Sequence, residues 1–404
     1  MNKKWFILAL LFFGWALGNL DRFVMSYAIV DISADLSLKA TTQGFVLSSF
    51  FLGYAIMQMP GGWLADKFGS RKVITSSMLL LSLFTGLTGA VNSFMMIIVI
   101  RFLFGLGEGG FMPASTKAIS TVFPEQERSR AQSILLSSGG IIGILTPIFA
   151  TYLMVSIGWR WMFFLMGGSG ILFVILYFFY FKVPHVTTTE TGQPLQQTEN
   201  PLKVVLKIPL LWSLFFSSFA IYTISWGLIS WLPSYLSKER GLDLVSIGWI
   251  QIIPGIASFV GMLAAGYIMD LMPKGKEKYL GIVITGIMAI LTFFMFSASS
   301  IVVFIICETV VSLSGAIVII LLNALLLKNI PTAVAGSAMG FVNVGGQLAG
   351  FIAPMVIGFI VDKSGSFDLA FWMLIAAAVL CMITISTIRT KKKIERPAFQ
   401  EAGF

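Results

Sequence analysis

Apolar residues along this chain neither alternate nor keep to one helical face. They come in nearly unbroken runs of about 20 residues, the length a helix needs to cross a hydrocarbon core. The runs predict helices over 5–30, 43–64, 73–91, 94–117, 131–155, 162–182, 210–232, 246–270, 280–297, 301–327, 335–361 and 370–388. Charged residues and turn formers gather between them. The pattern predicts an all-α membrane protein with twelve transmembrane helices and both termini on one side. The first run, Trp5 to Val30, is too long for a signal h-region and lacks a small-residue cleavage site, so it reads as the first spanning helix.

Composition narrows the class. The chain is 57% hydrophobic and 11% charged, against roughly 25% charged in a soluble domain. A net charge of +9 would suit nucleic acid, but its distribution argues otherwise. With the N-terminus in the cytoplasm, 20 of the 27 Lys and Arg fall in cytoplasmic segments, five in outer loops, and two, Arg22 and Arg101, in the membrane. This is a positive-inside bias. It predicts a multi-pass cell (inner) membrane protein, both termini cytoplasmic, with lipid and no nucleic acid as partner. The basic tail Arg389–Arg396 reads as an anchor at the head groups. Cys307 and Cys381 fall in predicted helices and the one histidine, His185, in a polar loop, which suggests neither a disulfide framework nor a metal site. There is no nucleophile–base constellation and no phosphate loop, so no enzyme is expected. Protons are the coupling ion that needs no cofactor, and a monomer is expected.

The chain has a midpoint and a repeat. Residues 183–208 are rich in Thr, Gln, Glu and Pro and read as a cytoplasmic linker. It separates an N-terminal six-helix bundle, 1–182, from a C-terminal one, 209–388, with a tail at 389–404. Sliding residues 123–153 by 207 positions sets Pro124 on Pro331, Ala131 on Ala338, Gly139 on Gly346, Gly143 on Gly350 and Pro147 on Pro354. An offset of 204 sets Gly62 on Gly266 and Asp66 on Asp270. Repeats six helices apart in the same orientation imply two bundles related by an axis along the membrane normal.

Five charges interrupt the apolar runs: Asp21, Arg22, Arg101, Glu108 and Glu308. A charge at the bilayer centre is disfavoured by about 2.5–3.5 kcal/mol on insertion scales, and such residues commonly face a polar cavity. These residues are the first candidates for function.

The loop Gly62-Trp63-Leu64-Ala65-Asp66-Lys67-Phe68-Gly69-Ser70-Arg71-Lys72 closely resembles the loop 2–3 motif of the major facilitator superfamily, Gly-x-x-x-Asp-x-x-Gly-x-Arg-Lys. There Gly62 would allow close helix approach, Gly69 a tight turn, and Asp66 a cap or an ion pair with a neighbouring helix end. A narrower likeness runs through Asn19-Leu20-Asp21-Arg22, Gln58 to Trp63, Arg101 to Glu108, Phe123 to Arg128 and Trp231 to Leu236. Together these resemble the anion:cation symporter branch, which includes bacterial hexuronate, aldonate and aldarate transporters and the animal sialin and vesicular glutamate relatives. The resemblance implies that Asp21, Arg22, Arg101 and Glu108 are coupling and substrate residues, that Tyr54 reaches substrate, and that Gly62, Asp66, Gly69 and Arg71 form a gating loop. Sugar-acid members often carry Gln in helix five near Gly139. The glycine here tilts the reading toward a less hydroxylated or aromatic acid.

The chemistry of the residues agrees with such a role. Arg101 and Glu108 lie seven residues apart, two turns or about 10 Å along one helix face, so they share a space without forming a tight pair. Glu108 has no cation one turn away in its own helix, and a carboxyl that alternates between neutral and charged carries a proton; alternatively, a neutral Glu108 bonds a backbone carbonyl. Asp21 and Arg22 are adjacent and point about 100° apart. An ionised Asp21 would compete with an anionic substrate for Arg22, whose fork suits a carboxylate and which keeps its charge. The bland alternative locks Arg22 structurally to Asp21. Arg101 has a structural or gating role or contacts substrate; Glu308, set on Arg101 by the 207 offset, is its counterpart or, more simply, a core acid near the outer end of helix ten. Gly105 and Gly109 suggest close helix packing. Tyr27, Tyr54, Tyr222, Trp226 and Trp231 could line a cavity or belong to core and interfacial belt. Asn343 and Gln347, one turn apart, could bond substrate or tie helices together.

The expected function is proton-coupled uptake of a small organic carboxylate by alternating access. An organophosphate exchanger is the runner-up, but 210–232 holds no basic residue to match the second Arg of that class. A proton-coupled efflux antiporter is the other, but Gly143 and Pro147 are separated where that class joins Gly to Pro.

Overall fold

The computed structural model describes residues 3–181, 206–272, 275–330 and 332–388. Most of the expected linker, His185 and the whole tail 389–404 lie outside them. Among the described residues the regular structure is helical: α1 (Lys3–Asp35), α2 (Ala40–Phe68), α3 (Ser70–Thr88), α4 (Phe94–Gly109), α5 (Phe111–Val122), α6 (Glu125–Tyr180), α7 (Pro209–Lys238), α8 (Leu244–Leu271), α9 (Glu277–Ser297), α10 (Ile301–Asn329), α11 (Thr332–Ser364) and α12 (Asp368–Thr387). In lipid each backbone polar group must be satisfied within its own segment, which leaves helices as the solution for apolar runs of this length. Ten helical stretches among the described residues are long and apolar enough to cross a membrane. One, Gln126–Tyr180, is broken by the non-helical Gly158, with φ 79° and ψ 158°, and so holds two of the expected spans. The expected span 94–117 is α4 followed directly by α5. The 19-residue α3 is not among the ten.

The chain divides into two compact units that do not follow chain order. One comprises Met1–Thr187, Leu228–Ile252 and Phe351–Ser366; the other comprises Thr188–Gly227, Ile253–Gly350 and Phe367–Phe404. In the first unit α2 lies against α4 with the two backbones nearly touching. A Cβ at Gly109 would stand 2.7 Å from the Tyr54 carbonyl, and one at Gly53 or Gly105 would overlap the opposing backbone outright. The expected packing role of Gly105 and Gly109 holds. The close approach expected at Gly62 belongs instead to Gly61, where a Cβ would meet the Gly110 Cα at 2.5 Å; at Gly62 it would meet only the Pro113 side chain at an ordinary 3.7 Å. One residue turns the helix by about 100°, which moves Gly62 off the contact line.

The C-terminal ends of α7 and α11 and the N-terminal end of α8 also belong to this unit. The N-terminus of α2 is capped from α11: the Ala40 and Thr41 backbone N–H groups donate to the two carboxylate oxygens of Asp362 at 2.9 and 2.7 Å. A carboxylate at the positive end of a helix dipole satisfies donors that have no partner inside the helix. Trp231 of α7 donates its indole N–H to the Pro354 carbonyl at 2.9 Å. Asp35 at the end of α1 pairs with Arg160 just past the Gly158 break. Asp243 precedes α8 and accepts from the Ser246 backbone and hydroxyl at 3.0 and 2.6 Å, and these bonds hold its carboxyl below the usual range.

In the second unit α7 and α12 are joined through Ser213–Thr387 and Ser217–Thr384 hydroxyl bonds, at 3.0 and 2.7 Å. Cys307 and Cys381 are free and buried. A lysine joins neighbouring helix ends in each unit. Lys117 of α5 donates to Asp66 at 2.7 Å and to the Ala65 carbonyl at 3.0 Å, at the end of α2. Lys328 of α10 donates to Glu277 at the start of α9 at 3.0 Å and to the Met269 carbonyl at the end of α8 at 3.4 Å. Pro147 and Pro354, matched by the 207 offset, both lie inside helices.

Candidate functional site

Adjacent residues on a helix diverge by about 100°, so Asp21 and Arg22 look toward different neighbours. Asp21, 1% exposed, pairs with Arg101 of α4, itself 2% exposed. Its second oxygen accepts from the Thr85 hydroxyl of α3 at 2.7 Å. Arg22 donates instead to Glu108 of α4 at 2.9 Å. Glu108 reaches α1 because Gly18 leaves it room: a Cβ there would stand 2.7 Å from the Glu108 carboxylate. The guanidinium carbon of Arg22 lies 4.6 Å from the Phe50 ring centre, 5.1 Å from Tyr54 and 5.8 Å from Trp15. Arg101 lies 4.7 Å from Phe104. Among the described residues, the second oxygen of Glu108 and the Nε of Arg101, both buried, have no hydrogen-bond partner.

The site is therefore two ion pairs that cross between α1 and α4. Arg101 and Glu108 do not pair with each other, as their spacing implied. The expected competition between Asp21 and substrate for Arg22 is corrected: one oxygen of Glu108 accepts from Arg22, while Asp21 is turned toward Arg101 and Thr85. For the same reason Arg22 is not locked to Asp21, and Glu108 is not left without a cation. The side chain of Arg22 is 11% exposed, against 1% for Glu108, so it is the most accessible of the four charges.

Tyr54 is buried beside Arg22 and interacts with it and with Gln58. Asn343 is exposed and Gln347 half-buried on α11, within the second unit, as are Tyr222, Trp226 and the buried Glu308. Trp231 is buried with its indole N–H engaged in packing. Gly139 of α6 faces α1, where a Cβ would lie 3.6 Å from the Asn19 amide oxygen. In the loop motif, Asp66 pairs with Lys117, Gly69 turns the chain at φ 86°, and Arg71 donates to the Phe178 carbonyl at 2.6 Å. Thr85 and Phe50 are site residues that the sequence reading did not single out. The buried face of α3 carries Ser70, Ser77, Ser82, Thr85 and Thr88, a row of hydroxyls that marks a polar face inside a membrane.

The Major Facilitator Superfamily pattern matches residues 5–354. The chain belongs to this superfamily. It is similar to the "Probable sulfoacetate transporter SauU" of Cupriavidus necator, 29% identical over 96% of this chain and 95% of the relative. It is also similar to the "Hexuronate transporter" of Bacillus subtilis, 29% identical over 98% and 97%, and to the "Probable L-galactonate transporter" of Escherichia coli, 30% identical over 89% and 84%. Among solved structures it resembles a bacterial homolog to the human lysosomal transporter Spinster in an inward-facing, unoccupied conformation, with a TM-score of 0.81, 17% identity and 96% of each chain covered. The D-xylose-proton symporter follows at 0.76, 17% identity, and 95% and 98% coverage. The fold is that of the major facilitator transporters, and the chain is a multi-pass membrane transporter, not an enzyme.

Proposed function

We propose that this transporter carries a small organic anion inward together with protons across a bacterial inner membrane, with both termini in the cytoplasm. The observation that carries the reading is the crossed pair of ion pairs. Each acid silences one arginine. A proton on Glu108 takes away the charge that holds Arg22, and the freed guanidinium can receive a carboxylate on two parallel N–H groups. The incoming anion then stands where the Glu108 charge stood. Two arginines and two carboxylates give a neutral site; one proton makes it +1, and one monoanion returns it to neutral. When the proton leaves on the other side, Glu108 reclaims Arg22 and expels the anion. Asp21 and Arg101 form a second such pair.

Relatives named for hexuronate, galactarate and D-glucarate, galactonate and sulfoacetate support an organic acid anion as cargo. Gly139 offers no side-chain hydrogen bond beside Asn19, while Phe50 and Tyr54 flank Arg22. That lining suits an acid with few hydroxyls. Two six-helix bundles, 1–182 and 209–388, serve as the moving bodies of alternating access, with α3 as the third span of twelve. The contacts of 228–252 and 351–366 with α2 and α6 are those that close one end.

Proteoliposomes loaded against an imposed pH gradient test the reading with labelled sulfoacetate, D-glucuronate and galactonate. Wild-type accumulation should collapse with a protonophore. Glu108→Gln should lose accumulation and keep exchange, because a permanently neutral side chain frees Arg22 but cannot cycle. Flux indifferent to both protonophore and pH gradient would overturn the symport reading.

A further inference from the structure

Asp21 is held by two helices at once. Arg101 of α4 takes one carboxylate oxygen and the Thr85 hydroxyl of α3 donates to the other at 2.7 Å. Thr85 is 3% exposed, so bulk water does not replace it. Its neighbours behave differently. The hydroxyls of Ser82 and Thr88 turn back to the carbonyls of Met78 and Phe84 at 2.7 and 2.8 Å, the usual local outlet for a helical hydroxyl. Thr85 reaches out of its helix instead.

The two partners of Asp21 differ in what they can do. A guanidinium only donates, so Arg101 serves the ionised carboxylate alone. Once Asp21 carries a proton, its O–H needs an acceptor. A hydroxyl both donates and accepts. The other charged or titratable groups around Asp21 are Arg22 on its own helix, Glu108 on α4 and Tyr54 on α2, which are grouped around Arg22.

We propose that Thr85 is a positioning residue for proton exchange at Asp21: its hydroxyl donates to the carboxylate and accepts from the acid, holding the side chain in one place while Arg101 is engaged or released. The inference rests on the reading that Asp21 carries a coupling proton. It adds α3 to a mechanism otherwise confined to α1 and α4. Without the hydroxyl, a protonated Asp21 would have no fixed acceptor, and Arg101 would not find it again in register after the proton leaves.

The test uses the whole purified protein and needs no substrate. Infrared difference spectra across a pH titration report the carbonyl stretch of protonated carboxyls, and Asp21→Asn assigns the Asp21 band by its disappearance. In Thr85→Val, which keeps the branched shape and loses the hydroxyl, that band should move to higher wavenumber. Thr85→Ser should leave it near the wild-type position. Thr85→Ala is a second hydroxyl-less variant, so misfolding of one does not decide the matter. In proteoliposomes, accumulation of sulfoacetate or D-glucuronate should fall about tenfold in Thr85→Val and recover in Thr85→Ser. An unmoved Asp21 band in both hydroxyl-less variants would overturn the role of Thr85 while leaving proton coupling intact. Absence of any titrating Asp21 band in the wild type would instead sink the coupling role of Asp21, and this inference with it.

Discussion

If the ends of α7, α8 and α11 that pack in the first unit form a closing gate, the contact of α11 with α2 should be adjustable by single residues. Two features hold it. Asp362 caps α2 through the Ala40 and Thr41 N–H groups, and Gly358 lets the helices meet, since a Cβ there would overlap the Ala40 carbonyl. Removing a capping side chain costs about 0.5–2 kcal/mol. Asp362 is exposed, so the lower half of that range applies, about 1 kcal/mol or roughly a fivefold shift from closed to open. Gly358→Ala is the harsher change, because the obstacle is backbone and cannot rotate away. Overpacking of this kind costs about 1–3 kcal/mol, which opens the end about fivefold to over a hundredfold. The two changes should not add. Once Gly358→Ala holds the helices apart, Asp362 no longer reaches α2, and Asp362→Ala should change little more. The assay is a pair of spin labels at Ala34→Cys and Lys363→Cys in a background lacking Cys307 and Cys381, read as a distance distribution. Long distances should grow in the order wild type, Asp362→Ala, Gly358→Ala. Identical distributions in all three would show this end to be a fixed scaffold, and the gate would have to be sought elsewhere.

At the proposed anion site, Arg22→Lys should bind substrate almost as poorly as Arg22→Ala, since Lys keeps the charge but not the fork. The loss of a hydrogen bond to a buried charge is about 1.5–3 kcal/mol, about tenfold to over a hundredfold in affinity by calorimetry; near wild-type affinity in Arg22→Ala would move the anion to Arg101. Gly139→Gln places an amide beside Asn19 and should shift the uptake preference from sulfoacetate toward D-glucuronate and galactonate. Competition assays showing no change in rank would remove α6 from the specificity argument.

The helices were legible because apolar runs of spanning length have few alternatives in a bilayer. Their ends were less so. The start of α2 at Ala40 depends on Asp362, 322 residues away, which local pattern does not reveal. The spans expected at 131–155 and 162–182 run on as α6 because only Gly158 departs from helix. The identity of the charged residues was equally plain, since ionisable groups inside apolar runs stand out. Their pairing was not. Arg22 meets Glu108 across 86 residues and Arg101 meets Asp21 across 80, and adjacency in sequence pointed to the wrong competitor for Arg22. Thr85 was hidden for another reason. Most helical hydroxyls bond their own backbone, and only tertiary contact distinguishes the one that does not.

The crossing has a consequence of its own. Asp21 and Arg22 are separated by one residue's rise, about 1.5 Å, whereas Arg101 and Glu108 are about 10 Å apart along α4. Each acid answers to its own arginine, and two unit charges about 10 Å apart still interact by roughly 1–2 kcal/mol at an effective dielectric near 20. The pairs are thus separate in contact and joined in charge. On the proposed function, freeing Arg22 would leave an excess positive charge for an anion to cancel, and cancelling it would restore the neutral setting in which the Asp21–Arg101 pair exists. One pair would then select the cargo and the other register its arrival, which would give two acids in one bundle distinct work.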